Sequence, residues 1–154
     1  MTAGLKKATL AAVGCMVVTA VAALFLWDAP RNRLELVFER HTIEQTTRDY
    51  FKAEMDRDYR KVYGFLAPSS TYRKTHTYEE FLRDMSGSPV VIKSYRIVDI
   101  YRLRGNHDPV AYPAVKRFVQ VEVEVDVGFS DTGDTSTCNY CFTFLKEGGR
   151  WYKG

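Results

Sequence analysis

The chain has 154 residues, a formal net charge of +3 and 45 % hydrophobic residues, enough for one domain with its own core. Residues 1–40 carry five Lys/Arg against three acids, and residues 41–154 carry 17 basic against 16 acidic side chains. A nearly neutral domain lacks the basic footprint of a nucleic-acid binder, so nucleic acid is excluded as a partner. Ten Tyr and nine Phe favour a strand-rich core.

Residues 1–7 form a short tail ending in Lys6 and Lys7. The run ATLAAVGCMVVTAVAALFLW, residues 8–27, is uncharged. About 20 such residues in a helix cross a bilayer core of about 30 Å, and Trp27 at the far edge suits the interface. The run predicts an uncleaved transmembrane signal anchor. A cleaved signal peptide would have a shorter apolar region and a small-residue cleavage site, which LFLWDAP does not supply. A lipoprotein cut before Cys15 in AAVGC would leave a strongly apolar mature start. The three arginines that follow, Arg31, Arg33 and Arg40, compete with Lys6 and Lys7 for the inside. The short tail favours N-in and C-out, with the domain extracytoplasmic at a bacterial-type inner membrane.

Asp28-Ala-Pro30 breaks the membrane helix, and residues 28–40 read as an amphipathic connector. From residue 41 a helix is expected, with Thr42 and Gln45 as a capping box and a buried face of Ile43, Thr47, Tyr50, Phe51 and Met55. A second helix has Asp58 as its cap, Tyr59, Val62, Tyr63 and Leu66 as its stripe and Pro68 as its stop. SSTYRKTH reads as a polar loop. TYEEFLRDMSG is a third helix, capped by Thr77 with Glu80 and stopped at Gly87. Then the period changes from helical to alternating. VVIKSYRIVDIYRLR is a strand. AVKRFVQVEVEVDVGF is a half-buried antiparallel strand, with Val119, Val121, Val123, Val125 and Val127 on one face and Gln120, Glu122, Glu124 and Asp126 on the other. TCNYCFTFL, a KEGG turn and a short RWYKG strand complete an α+β domain over residues 41–154.

That order, with DYFKAEMDRDYRKVYGFLAPSS, TYEEFLRDM and the closing hairpin FTFLKEGGRWYKG, resembles the nuclear-transport-factor-2-like superfamily, also called cystatin-like. The resemblance implies three helices packed on a curved antiparallel sheet that forms a cone. The last strand is short for that superfamily and leaves one sheet edge unaccounted for. Inner-membrane components of type IV secretion machines resemble the whole plan of tail, single span and cone domain.

Cys138 and Cys141 stand in a C-x-x-C spacing. In a continuous strand, residues three apart point to opposite faces at about 10 Å, beyond the roughly 7 Å limit for a disulfide. No helix follows to lower a thiol pKa, and His41, His76 and His107 have no ligand spacing. The favoured reading is two separate structural thiols, with no disulfide and no metal. A local disulfide across a bulge and a redox or metal role are the alternatives. The acid stripe Glu122, Glu124 and Asp126 reads as cross-strand pairing with Arg96, Arg102 and Arg104.

Enzymes of the superfamily that resemble ketosteroid isomerases use an acid or His inside the cone with a Tyr as proton donor. Such a group must lie within hydrogen-bond reach of substrate, with its pKa moved by burial. Asp99 shares parity with Tyr95, Ile97, Tyr101 and Leu103, so it is the weak catalytic candidate. Tyr50, Tyr59, Tyr63, Tyr95, Asp99 and Tyr101 are the candidate cavity residues. The structural alternative places Asp99 at a bulge or rim, paired to an arginine. No cofactor is implied. The expectation is a membrane-anchored domain for protein interaction or assembly, with a protein partner or a homo-oligomer, leaning away from an enzyme. The alternative is a small-ligand-binding or isomerase-like domain using the cone.

Overall fold

The computed structural model describes the backbone of residues 2–154 and the side chains of residues 12–23 and 26–154. The chain divides into two compact units, residues 1–37 and 38–154. In the first, α1 runs Thr2–Leu26, and α2, Asp28–Met55, begins after Trp27. The expected break at Asp28-Ala-Pro30 is therefore the start of a helix rather than of a connector. Pro30 sits in the first turn, where its missing N–H would have no intrahelical partner in any case. Asp28 pairs with Arg31 across that turn. Among the described residues no single helix is long and apolar enough to cross a membrane; Ala12–Ala23 and Asp28–Met55 pass on length and composition only as a broken pair. The Lys6 and Lys7 side chains, and those of residues 8–11, 24 and 25 in the expected anchor, lie outside the described residues.

Because α2 starts early, Thr42 is mid-helix and caps nothing. Its expected partner Gln45 instead donates to Asp49 at 2.9 Å. The helix ends where Arg57 takes a left-handed φ of 54° and Asp58 N donates back to Ala53 O at 2.9 Å. Asp58 then caps α3, Tyr59–Phe65, by accepting from Lys61 N. The stretch read as a polar loop contains a further short helix, α4, Thr71–Thr75, capped by Ser70. The third expected helix is α5, Tyr78–Gly87, with the Thr77–Glu80 capping box complete.

Four strands follow in one antiparallel sheet of order β1-β2-β3-β4. They are β1 Val90–Gly105, β2 Val115–Phe129, β3 Thr135–Glu147 and β4 Arg150–Lys153. In the interior strand β2 the alternation is the expected one: Val119, Val121 and Val123 are 0 % exposed, and Glu122, Glu124 and Asp126 face the other side. Phe142 and Phe144 stand opposite Val121 and Val119 and extend that inner face. Phe51 of α2 packs on it, stacked on Tyr95 at 4.9 Å and edge-on to Phe142 at 5.4 Å. A smaller core gathers Ala67, Val115, Phe118 and Leu145. The expected pairing on the acidic face is realised at Arg96–Glu124, 3.1 Å; Asp126 instead accepts from Ser94 and Thr137, and Arg102 donates to Gln120.

One half-buried ion pair joins α2 to β3 and β4. Glu39 accepts from Lys146 Nζ at 2.6 Å and from Trp151 Nε1 at 2.8 Å. Burial works to raise the Glu39 pKa, but the two hydrogen bonds and the Lys146 charge outweigh it and hold the carboxyl below its ordinary value. A depressed carboxylate stabilises the fold above the ordinary glutamate range, and this is lost as pH falls through the folded value. Glu39→Gln is expected to cost about 2 to 4 kcal/mol at pH 7, since a charged partner is left half-buried. Urea midpoints of wild type and variant should converge as pH falls below the ordinary glutamate range; a gap that stays constant on acidification would refute the assignment.

The register makes a second test. Val123→Asp places a charge at a position with 0 % exposure and is expected to abolish cooperative melting. Glu124→Gln, on the open face, should cost under about 1 kcal/mol. Equal losses in the two variants would contradict the observed alternation.

Candidate functional site

The helical period of α2 that buries Ile43, Thr47, Tyr50, Phe51 and Ala53 also turns Glu54, half-buried, inward one turn beyond Tyr50. Tyr50 Oη donates to Glu54 Oε1 at 2.6 Å. Lys153, at the end of β4, brings its ammonium to 6.0 Å from the centre of the Tyr50 ring and 5.8 Å from that of Phe142. Lys153 O accepts from Ala67 N at 2.8 Å, which fixes this end of β4 against the segment leaving α3. The three side chains border a cavity of about 420 Å³ whose apolar wall includes Val62, Phe81 and Met85.

The electrostatics follow from shared burial. Burial pushes the Glu54 carboxyl above its ordinary range, against the Tyr50 hydrogen bond and the Lys153 charge. Burial also drives the Tyr50 hydroxyl far upward, helped by the Glu54 charge and hydrogen bond. It lowers Lys153, with Glu54 opposing. An acid whose charge is disfavoured, a hydroxyl that donates to it and a nearby amine can hydrogen-bond the polar end of a small ligand whose body lies on the apolar wall.

Of the expected cavity residues, only Tyr50 borders this space. Tyr59 and Tyr63 tie helices together: Tyr59 Oη reaches Met85 O at 3.5 Å, and Tyr63 Oη donates to His76 O at 3.1 Å. Tyr95 is inward but spent on Phe51, with its hydroxyl reaching Arg48 O at 3.4 Å. Asp99 and Tyr101 lie on the outer face. β1 shifts register between Ile97 and Asp99 and again between Tyr101 and Arg104, where Arg102 has φ 54°. The first shift reverses parity, so Ile100 points inward at 2 % exposure while Asp99 points out, with Arg40 at 3.6 Å. Tyr101 Oη meets Cys141 Sγ at 3.1 Å on the same outer face. Met55, expected on the buried face of α2, is 39 % exposed, and Glu54 takes the inward place.

β3 is continuous through both cysteines, and its register sets Cys138 opposite Val125 on the inner face and Cys141 opposite Glu122 on the outer one. Among the described residues no cluster of His, Cys, Asp and Glu could hold a metal. No family model matches the chain, and neither a curated protein nor a solved structure is similar to it.

Glu54 has the opposite sign to Glu39. Its folded pKa is raised, so stability is greatest below the ordinary glutamate range and declines as pH rises through the folded value. Glu54→Gln keeps an acceptor for Tyr50 and removes the buried charge. The variant should melt at or above the wild-type temperature at pH 8 and lose the decline that begins as pH rises above the ordinary glutamate range. Tyr50→Phe should cost about 1 to 3 kcal/mol at pH 8, because the carboxylate loses its donor. A wild-type decline retained in Glu54→Gln would place its origin elsewhere.

Proposed function

We propose that the chain is a single-pass, membrane-anchored domain of the nuclear-transport-factor-2-like type that serves protein interaction or assembly on the extracytoplasmic side of an inner membrane. The observation that carries this is the ring-filled space between Phe51 and the sheet. Phe51, Tyr95 and Phe142 occupy the space between α2 and the sheet, and the acid expected there, Asp99, stands outside. A domain that fills the space between Phe51 and the sheet with its own rings is suited to presenting surfaces. The uncharged run of residues 8–27 supports the anchor, and the order of helices then antiparallel strands supports the fold type.

The cavity beside Glu54 favours a second reading, a small-ligand or isomerase-like site with Glu54 as base and Tyr50 as its hydrogen-bond partner. Turnover of a β,γ-unsaturated ketosteroid by the full chain, lost in Glu54→Gln, would establish that reading and displace the first.

The assembly reading has its own test. A C-terminal alkaline phosphatase fusion should be active and a C-terminal fluorescent fusion dark. An amine cross-linker added to intact cells should move the chain into one discrete higher-mass species. A bright fluorescent fusion would refute the orientation, and a chain that stays monomeric at every cross-linker dose would refute the assembly role.

A further inference from the structure

The start of α2, residues 28–40, has two unlike faces. Glu35 and Glu39 stand four residues apart on one, and Glu39 is engaged by Lys146 and Trp151. Leu34, Val37 and Phe38 share the other, at the i, i+3, i+4 spacing of an apolar stripe. They are 47, 72 and 76 % exposed, whereas Ile43 and Phe51, further along the helix, are buried. Arginines edge the stripe. Arg31 stands three residues before Leu34, Arg33 four before Val37, and Arg40 three after Val37. All three are exposed; Arg31 pairs with Asp28, Arg40 reaches Asp99 at 3.6 Å, and Arg33 makes no ion pair among the described residues.

The occupant of this stripe must suit both its apolar row and its charged borders. An anionic bilayer does so: aliphatic and aromatic groups enter the acyl boundary, and guanidinium heads stay among the phosphates. The acids of the same segment, Glu35 and Glu39, are on the face turned away from such a surface. The chain also delivers the stripe there. The uncharged run ends at Trp27, exposed like Leu26 before it, and Phe38 follows Trp27 by no more than about 16 Å of helix. Trp27 belongs to neither α1 nor α2, so the chain can turn where it leaves the bilayer. We infer that Leu34, Val37 and Phe38 dock the start of α2 on the surface of an anionic lipid bilayer, with Arg33 and Arg40 among the headgroups. This rests on the membrane anchor of the proposed function and adds a second attachment, so that the domain begins on the membrane surface and not on a free stalk.

Spin labels on the full chain, reconstituted in phosphatidylcholine vesicles containing phosphatidylglycerol, test the docking. One chain keeps Cys15 for labelling, with Cys138 and Cys141 replaced by Ser. In two others all three cysteines are replaced, and the label sits at Phe38→Cys or at Thr132→Cys in the exposed turn after β2. Labels at 15 and 38 should collide more with oxygen than with a water-soluble nickel chelate, and the label at 132 the reverse. Val37→Cys repeats the reading with the Phe38 ring in place. Arg33→Gln should lower the ratio of docked to undocked label at 38 about fivefold, the effect of one basic side chain at an anionic surface, and vesicles of phosphatidylcholine alone should lower it further. Chelate-dominated collisions at 37 and 38, with Cys15 still in the bilayer, would overturn the docking and leave the anchor standing. Chelate-dominated collisions at 15 as well would overturn both. A label at 38 shielded from both reagents and broadened by a second label would assign the stripe to another copy of the chain, against the inference. Docking unchanged by Arg33→Gln and by removal of phosphatidylglycerol would overturn the anionic occupant.

Discussion

The domain depends on the strict alternation of β2. This strand has neighbours on both sides, and its inner row of valines is buried. Five valines between positions 119 and 127 are each 7 % exposed or less. Fully burying a valine is worth about 1.5 to 3 kcal/mol as an upper estimate, so a one-residue slip would forfeit most of the core. That constraint propagates outward. Phe142 and Phe144 must face the same way because β3 pairs with β2 without a shift over those positions. Phe51 must then fit between Phe142 and Tyr95, which fixes the face that α2 presents.

Along α2, two glutamates of the same chemistry have opposite fates. Glu39 meets a lysine and an indole N–H, and its charge is held. Glu54 meets a tyrosine hydroxyl at hydrogen-bond distance, while Lys153 acts on it only through space, and its charge is disfavoured. The helix separates them by about 22 Å, so they act independently. The first is a structural clamp that joins α2 to β3 and β4. The second holds a perturbed acid at a cavity, an arrangement that functional sites share with structural ion-pair networks. The difference lies in the partners each carboxylate finds.

Much of the fold was legible. The valine alternation, the Asp58 and Thr77 caps and the four strands all rest on short-range patterns, and local patterns are what a sequence displays directly. The site was less so. Glu54 was within reach, because it lies four residues after Tyr50 on the same helical face; Met55 was the more hydrophobic choice for the next buried place and concealed it. Lys153 was not legible, since its position follows from how β4 closes against Ala67. The early start of α2 was hidden by Pro30, which stops a helix in its interior but is tolerated in the first turn.

Asp99 failed for a reason that bears on the whole sheet. Parity counting assumes an unbroken ladder, and β1 is broken between Ile97 and Asp99. The same irregularities that turn Asp99 outward also spoil β1 as a pairing edge. In β3 the converse holds. Its unbroken ladder made the opposite facing of Cys138 and Cys141 readable from spacing alone. Spacing therefore reports facing only along a ladder that no bulge interrupts. In β1 bulges intervene three times, and in β3 from Thr135 to Lys146 none does.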